Sequence, residues 1–357
     1  NAIDTMIAYE MQGVEFVAAN TNIQDLKRSR AQIKLQLGRE VTRGLGAGAN
    51  PDVGRKAAEE SREDIKRIIK DADLIFIAAG MGGGTGTGAT PVIAQLAKEL
   101  GILTIGMVNR PFIHEGKKRT VNAEKGIQKL TEQVDTLIVI PNEKMKEIMP
   151  NLTVLEAFKQ ADTILYEAAK AISDIIHFSG HISVDFADVK TVMSNRGKAL
   201  MGSGMGEGDN RSLDATHQAL NNPLLADIAI ENAKGVLINI TAGKDFRIDE
   251  LGDIVTEVAK KTGDEGDMIN GLIVDEKMEG KVKVTVIATG LDTPGTTQYE
   301  REIIIHDKVD DSEDIGKTLR RIRDTDSLSL HKEPEPETKD FPGKQMEIPA
   351  FLRKFSN

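Results

Sequence analysis

The sequence predicts an α/β protein in which a doubly wound parallel-sheet domain is joined by a long central helix to a smaller α+β domain. Through the first 150 residues, short apolar stretches alternate with helical stretches of about ten or more residues, which is the pattern of a parallel sheet covered by helices. A capping box then opens a long amphipathic helix, and strand-like stretches return after residue 235.

The parallel-sheet domain is assigned to residues 1–152. A helix is expected up to Met11 and is ended by Gly13. A glycine-rich loop at 44–54 precedes a charged helix that ends near Lys70. The strands of this domain are predicted at 14–18, 74–79, 102–108 and 136–142.

The central helix is assigned to residues 153–179. Thr153 and Glu156 form its capping box, in which the hydroxyl and the carboxylate each accept a hydrogen bond from a backbone N–H group of the first turn. Apolar side chains then recur at helical spacing, at Leu155, Phe158, Ala161, Ile164, Leu165, Ala168, Ile172 and Ile175. About 25 residues at ~1.5 Å each give roughly 38 Å, enough to cross one domain and reach a second.

The smaller domain is assigned to residues 180–290, with strands predicted at 235–243, 271–276 and 281–290. Apolar and polar residues alternate strictly in the last of these, which predicts one buried face and one solvent-facing face. Residues 291–345 are rich in Pro, Thr, Asp, Glu and Lys and are predicted to be a disordered linker.

Residues 346–357 regain apolar side chains and are predicted to be a partner-binding peptide. Ile348, Phe351, Leu352 and Phe355 have the spacing of one helical stripe, and Pro349 fits its first turn. Within the preceding linker, residues 317–323 (KTLRRIR) could contact anionic lipid, although a solvated charge run is the favoured interpretation.

Composition excludes several classes of function. The net charge of −10 and the aromatic content of 4% argue against a nucleic-acid-binding surface. No stretch reaches the ~18 apolar residues of a membrane span. The absence of Cys removes thiolate chemistry and suits a reducing cytoplasm. His177 and His181 are four residues apart but have no evident third ligand, so no metal site is predicted.

The stretch FIAAGMGGGTGTGATPVIAQL, from Phe76 to Leu96, is typical of phosphate binding. Glycines where a strand leads into a helix let backbone N–H groups approach an anion, and the helix dipole favours negative charge there. A tight turn needs only one or two glycines. The predicted phosphate contacts are therefore Gly82, Gly83, Gly84, Gly86 and Gly88, with the hydroxyls of Thr85 and Thr87 as further donors.

Other nucleotide motifs fit less well. Gly84, Gly86 and Ala89 satisfy a relaxed dinucleotide fingerprint, which expects an acidic residue at the end of the next strand. That strand ends in Asn109 and Arg110, which disfavours a nicotinamide-dependent oxidoreductase. The GKT at 316–318 has Asp311 where a P-loop requires glycine, so this match is attributed to chance.

The glycine motif GGGTGTG is accompanied, in order, by GLGAGANP, RPFIHEGKKR, IPN, VDFADVKTVM and NITAG, and by IPAFLRKF at the end. This set resembles the tubulin/FtsZ family of GTPases and its bacterial-type cell-division members over residues 1–290 and the last dozen residues. The resemblance implies a cytoplasmic protein at the mid-cell division site that binds GTP or GDP with Mg²⁺. It also implies head-to-tail polymerisation, with no role for nucleic acid.

The resemblance implies nucleotide contacts beyond the glycine motif. Gly46, Ala47 and Gly48 would lie near the γ-phosphate, and Asn20 would contribute to the same site. Glu115 and Arg119 would contact ribose and phosphate, while Asn142, Phe158 and Asp162 would meet the guanine base. A carboxylate accepts both N–H donors of the guanine edge, whereas adenine presents an acceptor there.

For hydrolysis the resemblance implies residues supplied in trans. In the family, the loop that matches Asp185 and Asp188 enters the nucleotide pocket of the next subunit, so the resemblance implies this role for them. Consistent with it, no acid or His lies beside the glycine motif as an obvious water-positioning group. Ser183 stands where the family usually has Asn, and Asn22 where Asp is common. Slow turnover is therefore expected, and a GTP-binding structural filament with weak hydrolysis is the alternative.

Two further expectations follow from the resemblance. The family has a strand and a glycine-rich loop before the position of Asn1, so the chain is expected to be a fragment of a longer coding sequence. The terminal peptide resembles the segment with which the family binds membrane adaptors and regulatory division proteins. Its contacts would be Ile348, Pro349, Phe351 and Leu352.

Overall fold

The structure is a computed structural model that describes residues 2–149, 151–177, 184–194, 197–225, 230–263 and 266–291. These residues belong to one compact unit. His181, Ser183, residues 292–345 of the predicted linker and the predicted terminal peptide lie outside the described residues, whereas Leu291, predicted to begin the linker, ends the last strand.

The first half of the chain alternates helices and strands. Its helices are α1 (Ala2–Ala8), α2 (Ile23–Arg28), α3 (Arg39–Thr42), α4 (Pro51–Glu60), α5 (Arg62–Ile69), α6 (Thr85–Glu99), α7 (Lys117–Thr131) and α8 (Met145–Ile148). Its strands are β1 (Val17–Asn20), β2 (Ile33–Gln36), β3 (Leu74–Gly80), β4 (Leu103–Arg110) and β5 (Thr136–Pro141). The strands predicted at 74–79, 102–108 and 136–142 are thus present, with bounds that differ by one or two residues.

The second half begins with the predicted long helix. Its helices are α9 (Val154–His177), α10 (Phe186–Met193), α11 (Arg211–Leu220) and α12 (Ile248–Thr262). Its strands are β6 (Gly197–Glu207), β7 (Gly235–Ala242), β8 (Asp267–Val274) and β9 (Lys281–Leu291). Short 3-10 helices lie at Ile113–Glu115, Asn142–Lys144, Ile230–Asn232 and Glu276–Met278.

Seven strands form one sheet in the order β3-β4-β5-β6-β9-β7-β8. Strands β3, β4 and β5 are mutually parallel, as predicted. Strand β6 continues this sheet through a short parallel pairing of Thr136–Ile138 with Gly197–Ala199. Strand β9 is antiparallel to both of its neighbours, β6 and β7. A separate sheet holds β1 and β2, which are parallel.

Helix α9 covers one face of the large sheet. Its 24 residues give a rod of about 36 Å. The predicted capping box is present, because the Thr153 N–H donates to Glu156 Oε2 at 2.8 Å and the Glu156 N–H donates to Thr153 Oγ1 at 3.3 Å. Buried side chains of the helix share one core with strands from both halves of the chain, among them Ile105, Met107, Ile138, Ile140, Leu237 and Ile287.

The opposite face is covered by two pairs of helices. Helices α6 and α7 pack on β3–β5, with Ala94, Ile127 and Leu137 in their shared core. Helices α11 and α12 pack on the strands of the second half, around Ile238 and Ile254. Because both faces are covered, the central strands are buried and almost entirely apolar.

Helix α11 lies directly on the backbone of β6. A Cβ atom at Gly202, Gly204 or Gly206 would collide with the carbonyl oxygens of Ala219, Ala215 and Arg211, respectively. Two strand residues span about 6.6 Å and four helix residues about 6 Å, so the two repeats match along the contact. The alternate glycines of β6 therefore set the distance between this helix and the sheet.

Two predictions about strands are corrected by the structure. The strand predicted at 14–18 occurs at Val17–Asn20, because Val14 and Phe16 pack against the core from an irregular segment. The solvent-facing side predicted for the last strand is wrong beyond Val284. Strand β9 is central in the sheet, and its alternate residues Thr285 and Thr289 are buried and hydrogen-bonded.

Candidate functional site

A cavity of about 1170 Å³ runs along the carboxyl ends of β3 and β4 and between β1 and β3. We call it the large cavity. Residues from the ends of these strands and from α9 line it, among them Asn20, Met81, Asn109, Asn142, Phe158 and Asp162. Open α/β sheets bind ligands at the carboxyl ends of their parallel strands, so this is the candidate site.

The glycine motif leaves β3 at one end of this edge and begins α6. The Met81 N–H donates to the carbonyl of Asn109 at 3.0 Å, which ties the motif to β4. Gly82 has φ +97°, a conformation that favours glycine, and its N–H donates to Thr87 Oγ1 at 2.8 Å. Thr85 Oγ1 lies 2.6 Å from Thr21 Oγ1. The motif is therefore a folded turn with internal hydrogen bonds.

The glycines of the motif have different roles. A Cβ at Gly84 would lie 2.6 Å from the Cβ of Ala47, and one at Gly88 would collide with the carbonyl oxygen of Pro51. These two glycines, together with Gly86, allow close packing within the protein. Gly83 has open space where its Cβ would be. Of the predicted phosphate contacts in the motif, Thr85 and Gly86 line the large cavity, whereas Gly82, Gly83, Gly84, Thr87 and Gly88 do not.

The other end of the edge is formed by Asn142, Phe158 and Asp162. Asn142 is 4% exposed, and its Oδ1 has no hydrogen-bond partner among the described residues. Phe158 is 41% exposed and meets the ring of Phe112 edge-on, with centroids 5.2 Å apart. Burial raises the pKa of the Asp162 carboxyl above its usual value. An aromatic face, an amide and a carboxylate thus line one end of the cavity.

Glu115 and Arg119 line the same cavity and are paired with each other. Arg119 Nε lies 3.3 Å from Glu115 Oε2, and Glu115 Oε1 accepts the N–H of Phe112 at 2.9 Å. Helical spacing does not bring them together, because Glu115 ends a 3-10 helix, Gly116 is non-helical with φ +103°, and Arg119 lies in the first turn of α7. The two side chains meet across this turn.

The loop with Gly46, Ala47 and Gly48 does not line the large cavity, although Asn20, predicted with it, does. Ala47 is buried against Gly84, and Gly46 donates its N–H to the carbonyl of Thr21 at 3.3 Å. Gly48 lines a second cavity of about 460 Å³ beside α4, α6 and α7. The structure therefore brings this loop against the glycine motif from the side away from the large cavity.

Asp185 and Asp188 lie at the start of α10, beyond the C-terminal end of α9. Both are exposed, and neither lines the large cavity or the second cavity. Asp185 occupies the N-cap position of α10 but its side chain makes no capping hydrogen bond. Helix α9 extends about 28 Å from Phe158 to His177, and Phe186, between the two acids, does line the large cavity.

Asn109 is a cavity residue that sequence reasoning did not place in the site. In the sequence, Asn109 only indicated that a dinucleotide site is disfavoured, because an acidic residue is expected at that position. Its position at the carboxyl end of a buried parallel strand was the available signal, since such positions face the ligand in this class of fold. Pro111 follows it in the lining of the same cavity.

No group of three or more His, Cys, Asp or Glu side chains within the described ranges could hold a metal ion. None of the helices that the structure describes has the length and hydropathy of a membrane span.

Two family descriptions match the chain. Residues 2–150 match the Tubulin/FtsZ family, GTPase domain, and residues 197–292 match the FtsZ family, C-terminal domain. Curated proteins named "Cell division protein FtsZ" are similar over long stretches. The protein from Coxiella burnetii is 45% identical over 361 residues, covering 99% of this chain and 93% of the relative. The protein from Azotobacter vinelandii is 51% identical over 294 residues, covering 82% and 75%.

Solved structures have the same fold. A structure described as an empty FtsZ dimer of M. jannaschii superposes with a TM-score of 0.78 at 43% identity, covering 81% of this chain and 84% of that one. The GTPγS-bound protofilament of CetZ2 from Haloferax volcanii gives a TM-score of 0.74, covering 87% and 96%. At 20% identity the latter shows likeness of fold alone.

Proposed function

Because the chain belongs to the FtsZ family of tubulin-like GTPases, we propose that it binds GTP along the carboxyl edge of β3–β5 and hydrolyses it where one subunit meets the next. The protein is a cell-division GTPase that binds GTP or GDP and assembles into filaments. What we propose is which residues carry out these steps and where hydrolysis takes place.

The phosphates would lie over the glycine motif. Thr85 and Gly86 line the large cavity, and the motif leads into the N-terminus of α6, where the helix dipole favours an anion. The hydroxyl of Thr87 holds the N–H of Gly82, so its contribution is to fix the shape of the turn. Gly46 and Ala47 would support the motif from behind, and Gly48 would lie near the γ-phosphate.

The base would lie at the other end, between Phe158, Asn142 and Asp162. The unpartnered Oδ1 of Asn142 is the observation that carries this placement, because a buried acceptor requires a donor and the guanine edge supplies N–H groups. The Asp162 carboxylate would accept the two N–H groups that guanine has and adenine lacks. Glu115 and Arg119 would hold the sugar and phosphates from the side of α7.

Hydrolysis would require the next subunit of the filament. Asp185 and Asp188 are exposed at the far end of α9, where a head-to-tail neighbour could receive them. A carboxylate approaching a phosphate charge is repelled by about 4 kcal/mol at 4 Å and an effective dielectric near 20. Mg²⁺ carried by the nucleotide phosphates would offset this repulsion, and the acids would orient the attacking water. Ser183 would belong to the same loop.

The terminal peptide would bind partner proteins. Ile348, Pro349, Phe351 and Leu352 would dock on membrane adaptors and regulatory division proteins as a short amphipathic helix. The polymer would then lie in the cytoplasm at the division site, held to the membrane through those adaptors.

The test is sedimentation and phosphate release with GTP, using GDP and ATP as controls. We expect GTP-dependent pelleting and a turnover per subunit that rises with protein concentration, because each interface completes one site. Pelleting with GTP but without phosphate release would favour the structural filament with weak hydrolysis. Binding of NADPH with no response to GTP would overturn the proposal.

We expect Asp162→Asn to weaken GTP binding by about 10- to 100-fold, because one charge-assisted hydrogen bond is worth about 1.5–3 kcal/mol and the amide cannot accept both guanine N–H groups. The pKa of Asp162 is raised by burial, so the ionised carboxylate disfavours the folded state above that pKa. Replacement by a neutral amide should therefore leave the free energy of unfolding of the nucleotide-free protein unchanged or increased at pH 7.

The same pKa gives a pH dependence. The affinity of the unchanged protein for GDP should fall as the pH drops through the raised pKa of Asp162, and Asp162→Asn should lack this step. Calorimetric titration with GDP and thermal unfolding measure both effects. Asp253→Asn, at an exposed position of α12, is the matched control. A loss of stability equal to the loss of affinity would contradict a role in base recognition.

A further inference from the structure

The second cavity, of about 460 Å³, is lined by a concentration of basic side chains. Arg55 of α4 and Lys118, Lys125 and Lys129 of α7 line it, and Asp52 is the one acid among the described residues of its lining. Four cations and one acid give this lining a formal charge of +3, whereas the whole chain carries −10. A basic cavity on an acidic protein indicates a site for an anion.

The lysines of the cavity belong to one face of α7. Positions 118, 122, 125 and 129 follow one another at spacings of three and four residues, which places them in one stripe along a helix. The stripe is about 16 Å long from Lys118 to Lys129. Within it, the Nδ2 of Asn122 donates to the carbonyl of Ala49 at 3.5 Å. The lysine face of α7 is therefore turned toward the loop that begins α4.

The two walls of the cavity are held at a fixed separation by α6. A Cβ atom at Gly88 of α6 would collide with the carbonyl oxygen of Pro51, so α4 lies directly on α6. A Cβ atom at Gly126 of α7 would collide with the Cγ2 of Thr87, so α7 lies directly on α6 as well. The basic side chains thus extend from two closely packed helices, and the cavity is formed without a ligand.

Three of these cations are not neutralised by the protein. Within the described residues, Arg55, Lys118 and Lys129 are exposed and make no ion pair and no side-chain hydrogen bond. Arg62 of α5, by contrast, donates to both carboxylate oxygens of Glu99, at 2.6 and 2.8 Å. The donors of the second cavity are therefore available to a ligand.

The arrangement of the cations indicates the chemical class of that ligand. The planar fork of an arginine matches the oxygens of a phosphate group, and lysine ammonium groups add point charges to it. Because the cations extend from two walls, the ligand that meets them all carries several negative charges. The cavity volume is within the range of about 300–1,000 Å³ that is typical of small-molecule sites. A chain of linked phosphates has both the charge and the size.

We propose that the second cavity binds a polyphosphate anion between Arg55 on one wall and the lysines of α7 on the other. This inference goes beyond the proposed function, because Arg55, Lys118 and Lys129 do not line the large cavity. Gly48 lines the second cavity and was placed near the γ-phosphate, so the test is made with the nucleotide site filled.

The experiment is calorimetric titration of inorganic tripolyphosphate into the full chain in excess GDP, without Mg²⁺. We expect one tripolyphosphate to bind per chain, with an affinity that falls as the salt concentration rises. Arg55→Ala and Lys129→Ala should each weaken binding by about two- to tenfold, as expected for exposed charges, and the double variant should weaken it further. ATP, titrated in the same way, tests whether the phosphate chain is also recognised when it is carried by a nucleoside.

The matched control is Lys56→Ala. Lys56 is the exposed neighbour of Arg55 on α4 and lines neither cavity, so its removal changes the net charge equally and should leave the affinity unchanged. Binding of ATP with the same losses in the variants would identify nucleoside polyphosphates as ligands, and binding of tripolyphosphate alone would identify the free anion. Absence of binding, equal losses in Lys56→Ala, or displacement of tripolyphosphate by further GDP would each overturn the inference.

Discussion

Asp188→Ala is expected to assemble with GTP as the unchanged protein does, while its phosphate release falls at least about 100-fold. A positioned acid or base contributes about 10²–10⁴ to a rate, and Asp188 lies outside the large cavity in its own subunit. Binding and assembly would therefore remain, and only the reaction at the interface would be lost. Pelleting and phosphate release from the same samples measure the two effects together.

Mixing two variants tests whether the acid acts in trans. Asp188→Ala keeps its nucleotide site, and Asp162→Ala keeps its acidic end. If the acid acts across the interface, mixed filaments should recover phosphate release because Asp162→Ala subunits supply Asp188 to intact sites. Asp214→Ala, an exposed acid on α11, is the control and should turn over normally. Normal turnover by Asp188→Ala alone would contradict the mechanism.

Gly204→Ala is expected to lower the free energy of unfolding by about 1–3 kcal/mol or more. Its new Cβ would collide with the carbonyl oxygen of Ala215 in α11, and backbone on both sides must shift to make room. In a chain of this size each kcal/mol corresponds to a change of about 2–4 °C in Tm. Thermal and denaturant unfolding, followed by circular dichroism, measure the effect.

Gly252→Ala is the matched control for the same chemical change. Gly252 lies in α12 with no atom within 4 Å of where its Cβ would be. Alanine is favoured over glycine inside a helix by about 1 kcal/mol, so this variant should be more stable than the unchanged protein. Equal effects of the two substitutions would show that contact between α11 and β6 is not what requires the glycine.

The parallel strands and the central helix were predictable from the sequence because their signals are local. Strands β3, β4 and β5 are continuous apolar stretches, and α9 carries its own capping box and apolar stripe. The sequence analysis does not predict strand β6, because alternate glycines at 202, 204 and 206 are typical of a loop. Glycine is required at these positions because α11 packs directly on the strand, and this tertiary contact cannot be seen in the sequence.

The sequence predicts which residues belong to the site but not how they are arranged in space. Phe158 and Asp162 could be placed together from their helical spacing, and both line the large cavity. The position of Gly46, Ala47 and Gly48 behind the glycine motif depends on the packing of Ala47 on Gly84, which no local pattern reveals. The solvent face predicted for β9 failed for a similar reason, since a strand's neighbours decide its exposure.

Helix α9 carries Phe158 and Asp162 near its beginning and ends eight residues before Asp185. It is anchored about three-quarters of the way along, where the Nδ2 of Asn239 donates to the carbonyl of Ala171 at 2.7 Å. An unbroken helix transmits an axial displacement with little compression. On the proposed function, displacement of the C-terminal end of α9 by a neighbouring subunit would therefore move Phe158 and Asp162 against the guanine, and growth of the polymer would change the rate of nucleotide exchange.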